Sequence, residues 1–211
     1  MELEQTLEQF TEIFELQRGI TFVDRLQGTP QTLKSYNVAT HAQQCAIIYS
    51  ILCDVTKRQV DIGVLLTLLL HDNIESVTGD LLAPAKCDEL WDKVENRIMN
   101  TNVITPKDDA YTASLKRHYF PTEEQMHSEL NDDDYLLVKI IDMTEFFIRA
   151  IEEWNCGNHC LRLKCAILNA KSVLFKRIQK LNRATPEYND ITEIIVGYVQ
   201  YALSITSLLY A

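Results

Sequence analysis

The stretch from Leu65 to Asp80, LLTLLLHDNIESVTGD, restricts what this chain can fold into more than any other. It opens as a run of leucines and ends with His71, Asp72, Glu75 and Asp80. So apolar a run shows no solvated side and reads as a buried helix. Ionised side chains do not end a buried helix unless they are paired or bound to a cation. An isolated buried carboxylate forfeits several kcal/mol, comparable with the whole stability margin of a domain. Something must therefore meet His71 and Asp72 inside the fold, and a divalent metal suits these residue types.

The remaining sequence predicts helices around that stretch. Leu3 to Arg18 carries a stripe of Leu3, Leu7, Phe10, Ile13, Phe14 and Leu16, and Gly19 offers a stop. Thr21 to Tyr36 reads as a long loop. Asn37 is placed to cap a helix from Val38 to about Val55, with His41 on its first turns. The leucine-rich helix is expected from about Asp61 to Ser76. Further helices are expected over Asp88 to Asn100, Ala110 to His118, a segment after Thr122, Asp133 to Trp154 and Asn158 to Asn182. A capping box of Asp190 and Glu193 predicts a last helix to about Leu209. With only 6 Gly and 5 Pro and no convincing strand, the 211 residues read as one all-α domain spanning 1–211.

Composition excludes several partners. The net charge of −10 opposes non-specific binding to nucleic acid, which depends on phosphate neutralisation. No window has the apolar length of a membrane span. The N-terminal MELEQTLEQF has no apolar signal core. The six cysteines lie mostly in helical segments rather than in a loop framework, so reduced thiols and a cytoplasmic location are the expectation. Cys156, His159, Cys160 and Cys165 fit no common zinc spacing.

Asp142 is a second anomaly, since Val138-Lys139-Ile140-Ile141-Asp142-Met143 places a carboxylate in a strongly apolar helix. His41 and Asp142 would reach the His71–Asp72 pair from two other helices. Two imidazoles and two carboxylates suit Mn, Fe, Co, Ni or Zn better than Ca. Such an ion activates water at neutral pH. Glu75, four residues after His71, is expected on the same helical face, where a general acid/base is useful.

These residues also carry a resemblance. His41, His71-Asp72 and Asp142 reproduce the H…HD…D pattern of the HD-domain phosphohydrolases. The segments YNVATH (36–41), HDNIESVTGD (71–80), PAK (84–86) and VKIID (138–142) resemble the bacterial 5′-deoxynucleotidases. Members of that subfamily are small all-α homodimers that use a divalent metal to remove phosphate from deoxynucleoside 5′-monophosphates. The resemblance covers roughly residues 1–182. It implies His41, His71, Asp72 and Asp142 as metal ligands, Glu75 as the catalytic carboxylate and Asp80 as the partner of the sugar 3′-hydroxyl. It also implies Arg18 as the phosphate contact, and a guanidinium matches phosphate geometry on its own account.

The chain departs from the family pattern at two places. Thr40 stands where the family has Glu before the first His, so an outer carboxylate behind that ligand is missing or replaced. Gly19 stands where the family has Trp, followed by Ile20 and Phe22, and Phe22 is the candidate aromatic contact for the substrate. The expected activity is hydrolysis of a deoxynucleoside 5′-monophosphate, with a deoxynucleotide as the partner and a homodimer as the assembly. Two alternatives stay open at this point. One is a triphosphohydrolase acting on dNTPs, as in related phage enzymes, and the other is a non-catalytic helical nucleotide-binding module.

Overall fold

The computed structural model describes residues 2–25, 36–79 and 88–206, with side chains from residue 9 and, in the last segment, from residue 93. The protein is all-α. Its helices are α1 Glu2–Arg18, α2 Val38–Val55, α3 Ile62–Leu70, the single turn α4 Glu75–Thr78, α5 Asp88–Ile98, α6 Ala110–Tyr119, α7 Glu123–Glu129, α8 Asp132–Asn155, α9 Leu161–Ala184 and α10 Asn189–Ser204. Among the described residues, extended backbone pairs only at an isolated antiparallel bridge between Asp24 and Asn37. No helix among them is long and apolar enough to cross a membrane.

Contacts group the described residues into two compact units: 2–25, 36–42, 69–79 and 88–129 in one, and 43–68 and 130–206 in the other. The first has a small core of Ile74, Met99, Val103 and Phe120, on which Ile13, Leu16, Val77 and Ile104 pack. Of the α1 stripe read from sequence, Phe10 and Phe14 instead stack on each other at the surface, with ring centroids 5.6 Å apart. The fully buried ammonium of Lys116 on α6 reaches Glu12 of α1 at 2.6 Å and Asp108 at 3.0 Å, tying three segments together. After α1 a 3-10 turn, Gly19–Phe22, lies directly against α4. A Cβ added at Gly19 would come 3.0 Å from the Ser76 Cβ, so a side chain there would require the two segments to give by a few tenths of an ångström.

The second unit holds the larger core. Leu163, Ile167, Ala170, Leu174, Ile178 and Leu181 recur along α9 at steps of three and four, forming one continuous buried stripe. They pack with Leu137, Ile141, Phe147 and Trp154 of α8, Ile195 and Val199 of α10, and Tyr49 and Leu68 of α2 and α3. Asn131 caps α8 by accepting from the amides of Asp133 and Asp134, and three aspartates in the first turn favour that end of the helix dipole. Gly157, with φ +99°, follows the end of α8 as expected.

Three sequence expectations need correction. The leucine-rich helix ends at Leu70, not Ser76, because residues 71–74 leave the helix as a turn before α4. It is also not fully buried, since Ile62 and Leu66 are 68% and 42% exposed and only Val64 and Leu68 are enclosed. Asp190 makes no capping box; its carboxylate accepts from the Arg58 guanidinium at 3.1 Å, and α10 starts without a side-chain cap. The end of the last predicted helix, 207–209, lies outside the described residues.

Candidate active site

Asn37 sets the start of α2. Its Oδ1 accepts from the Thr40 amide at 2.8 Å and the Thr40 hydroxyl at 3.0 Å, while its Nδ2 donates to the Thr21 carbonyl. The Val38 amide donates to the Val23 carbonyl and the Arg25 amide to the Tyr36 carbonyl, so 23–25 run beside 36–38. This clamp presents His41 from the first turns of α2 with no exposed surface. Thr40, at the position of the expected Glu, is thus used in the helix cap. Behind His41 stands Tyr36 instead, whose hydroxyl lies 3.3 Å from Nδ1.

The turn after α3 supplies the other half. The Asn73 amide donates to the Leu70 carbonyl and the Glu75 amide to the Asp72 carbonyl. The Asn73 side chain donates to the Tyr119 carbonyl at 2.8 Å, which pins the turn to the end of α6. On a continuous helix His71 and Asp72 would diverge by about 100°. In the turn they converge: His71 Nε2 lies 3.3 Å from Asp72 Oδ2. His41 Nε2 lies 3.7 Å from the same oxygen, and the two imidazole centroids are 5.2 Å apart.

Asp72 Oδ2 also accepts from Arg25 Nη1, a contact not anticipated from the sequence. Both side chains are only 13% exposed, so the guanidinium offsets the desolvation of the carboxylate. Nothing in the sequence singles Arg25 out, since a lone cation at the edge of a loop is commonplace. Tyr36 had a weak signal, an aromatic hydroxyl five residues before a candidate ligand.

The donors fit a first-row divalent ion. Ligand atoms of His41 and His71 lie within 4.8 Å of each other, and both side chains are buried. The separations of 3.3 and 3.7 Å to Asp72 are close to the about 3.3 Å edge of a tetrahedron with ligands at roughly 2.0–2.1 Å. Two imidazoles with a carboxylate match Zn and its neighbours better than Mg or Ca. One turn further along α2 stands Cys45, whose thiol is buried.

The other expected residues are placed less uniformly. Glu75 opens α4 with only 2% of its surface exposed, close in sequence to the convergence point though not on a shared helix face. Arg18 ends α1 at the surface, where its guanidinium meets Glu15 at 3.3 Å. Phe22 is 80% exposed. Asp80 and 84–86 lie outside the described residues, and Asp142 sits half-buried on α8 in the second unit.

The family model of 5′-deoxynucleotidase YfbR-like proteins matches residues 13–196. The chain is 26% identical over 171 residues to a 5′-deoxynucleotidase of Photobacterium profundum, covering 74% of this chain and 78% of the relative. Its fold is similar to a crystal structure of an HD-domain phosphohydrolase from Listeria innocua, with a TM-score of 0.71, 16% identity and 95% of each chain covered. It is also similar to the cyanophage S-2L HD phosphohydrolase DatZ, whose structure holds dA and one catalytic Zn2+ ion. There the TM-score is 0.54 and the identity 14%, with 92% of this chain and 96% of the phage protein covered. Motif, helical fold and family match agree: the chain belongs to the YfbR-like 5′-deoxynucleotidases, HD-domain phosphohydrolases that act on deoxynucleoside 5′-monophosphates.

Proposed function

We propose that His41, His71 and Asp72, with Asp142 as the further ligand that the family pattern implies, hold one divalent transition metal at which a deoxynucleoside 5′-monophosphate is hydrolysed to the nucleoside and phosphate. The observation that carries this reading is the convergence of His41 Nε2 and His71 Nε2 on Asp72 Oδ2, at 3.7 and 3.3 Å. When bound, the ion supplies Lewis acidity toward the phosphoryl oxygens and activates water at neutral pH.

The side chains do the remaining work. Tyr36 holds His41 through Nδ1, which fixes the ring so that Nε2 faces the ion. Glu75 is the proton carrier: enclosed and carboxylic, it takes a proton from the attacking water and returns one to the departing 5′-oxygen. Asp80 and Phe22 keep the substrate contacts that the family pattern implies for them. The zinc in DatZ supports a transition metal, and the stretch matched by the family, 13–196, takes in residues of both units, which supports one catalytic domain.

A homodimer is part of the proposal. Ile47, Ile51 and Val55 leave an apolar stripe exposed along α2. Ile62 and Leu66 leave another along α3, as a surface awaiting a second copy does. The test is product analysis on protein stripped of metal and reloaded with Zn, Mn or Co. Inorganic phosphate from dNMPs, lost on stripping and restored on reloading, is the expected result. Full turnover without metal, or triphosphate release from dNTPs with dNMPs untouched, overturns it.

A further inference from the structure

We propose that Arg25 receives the substrate phosphate, and that its guanidinium and a bound cation compete for the Asp72 carboxylate. The inference rests on the metal-site reading above and extends it. Arg25 Nη1 donates to Asp72 Oδ2, the oxygen on which His41 Nε2 and His71 Nε2 also converge. Three groups thus meet at one carboxylate oxygen, and one of them is a permanent cation.

A metal taking that oxygen and a guanidinium keeping it compete for the same negative charge. A cation held by Asp72 would draw that carboxylate's charge away from Arg25 and would set two positive groups close together. Two adjacent positive groups in a largely buried place form a strong site for a dianion. A phosphate received by Arg25 would satisfy the guanidinium while meeting the charge of a cation held by His41, His71 and Asp72. Arg25 would then pass from carboxylate to phosphate by a side-chain movement.

The backbone favours that movement. Arg25 is held at its own amide, which donates to the Tyr36 carbonyl at 3.1 Å, so only the side chain has to shift. Arg18, the guanidinium that the family pattern implies for this task, is 54% exposed and engaged with Glu15 on its own helix. A phosphate contact gains more from the 13%-exposed Arg25, because burial strengthens charge-assisted hydrogen bonds.

Two binding measurements on full-length Arg25→Ala test this without reference to turnover. Titration of the apo protein with Zn2+ against a chelating dye reads the competition, and the variant should bind the ion severalfold tighter than wild type. Calorimetric titration of the metal-loaded protein with inorganic phosphate reads the clamp, and affinity should fall at least tenfold, more than in Arg18→Ala. Should Arg25→Ala fail to fold, Arg25→Gln removes the charge while retaining hydrogen-bonding capacity and carries the same expectations. Phosphate affinity equal to wild type in whichever Arg25 variant folds overturns the proposal, even if the enzyme still hydrolyses dNMPs. Weaker metal binding in that variant overturns the competition.

Discussion

The Tyr36 hydroxyl and Nδ1 of His41 share a buried hydrogen bond of 3.3 Å, five residues apart across the start of α2. A metal bound at His41 Nε2 needs the lone pair there, so Nδ1 carries the proton and donates it in a hydrogen bond to the Tyr36 hydroxyl. Removing such an outer partner typically weakens metal affinity by roughly 10- to 100-fold. Tyr36→Phe should therefore bind Zn2+ that much more weakly while unfolding at nearly the wild-type temperature. A dye-competition titration reads this directly, and unchanged affinity would remove Tyr36 from the site.

Gly19 and Ser76 make the second prediction. A Cβ at position 19 meets the Ser76 Cβ at 3.0 Å and the Ser76 Cα and carbonyl at 3.8 Å. Overpacking of this kind costs about 1–3 kcal/mol. Gly19→Ala should lower the melting temperature by roughly 2–4 °C per kcal/mol for a chain of this size. Ser76→Gly removes the opposing Cβ, so the double variant should recover part of the loss, whereas strictly additive effects would show that the two positions do not meet.

Lys116 gives a prediction with a pH signature. Burial pushes the Lys116 ammonium pKa down, but hydrogen bonds to Glu12 and Asp108 outweigh it and the net shift is upward. For Asp108, burial raises the pKa, and the Thr105 amide with Lys116 more than reverses this, leaving it below the usual carboxylate range. A depressed carboxylate contributes stability that is present above its unfolded pKa, about 3.9, and is lost as pH falls through the folded value. A raised ammonium contributes below its unfolded pKa, about 10.4, and loses that contribution as pH rises through the folded one. Lys116→Met leaves the Asp108 carboxylate, 6% exposed, without its ammonium. Breaking such a pair costs about 3–5 kcal/mol. Denaturant unfolding at neutral pH should show the full deficit, and below about pH 4 the two proteins should approach each other. An equal deficit at both pH values would exclude the charge pair as its cause.

Helix starts were legible where a side chain caps locally. Asn37 puts α2 at Val38–Val55, and Asn131 puts α8 one residue before the predicted start. Local rules failed where a distant group took the residue instead. Asp190 looks like a cap by spacing, but Arg58 holds it from 132 positions away. The break at 71–74 was hidden because HDNI is compatible with helix, and the contact that stabilises the turn, Asn73 to the Tyr119 carbonyl, comes from α6. The meeting of His41, His71 and Asp72 could be expected from residue types, since buried imidazoles and a carboxylate need one another. Arg25 could not, because its meeting with Asp72 spans 47 positions and follows no periodicity.

Asp72→Asn is the sharpest test of the site as a whole. The amide keeps the size of the carboxylate and can still accept from Arg25, so the turn anchored by Asn73 and α6 should persist. What disappears is the negative charge at the one atom shared by His41, His71 and Arg25. A Lewis-acidic ion contributes several kcal/mol to the transition state of phosphate ester hydrolysis, and losing about 4 kcal/mol slows turnover roughly a thousandfold. Steady-state assays on dNMPs should therefore fall by about that factor or more. The thermal midpoint should move by only a few degrees, in either direction, because the lost charge pair is offset by the lost desolvation of the carboxylate. Turnover within tenfold of wild type, with the metal still bound, would show that Asp72 is not the residue through which the ion acts.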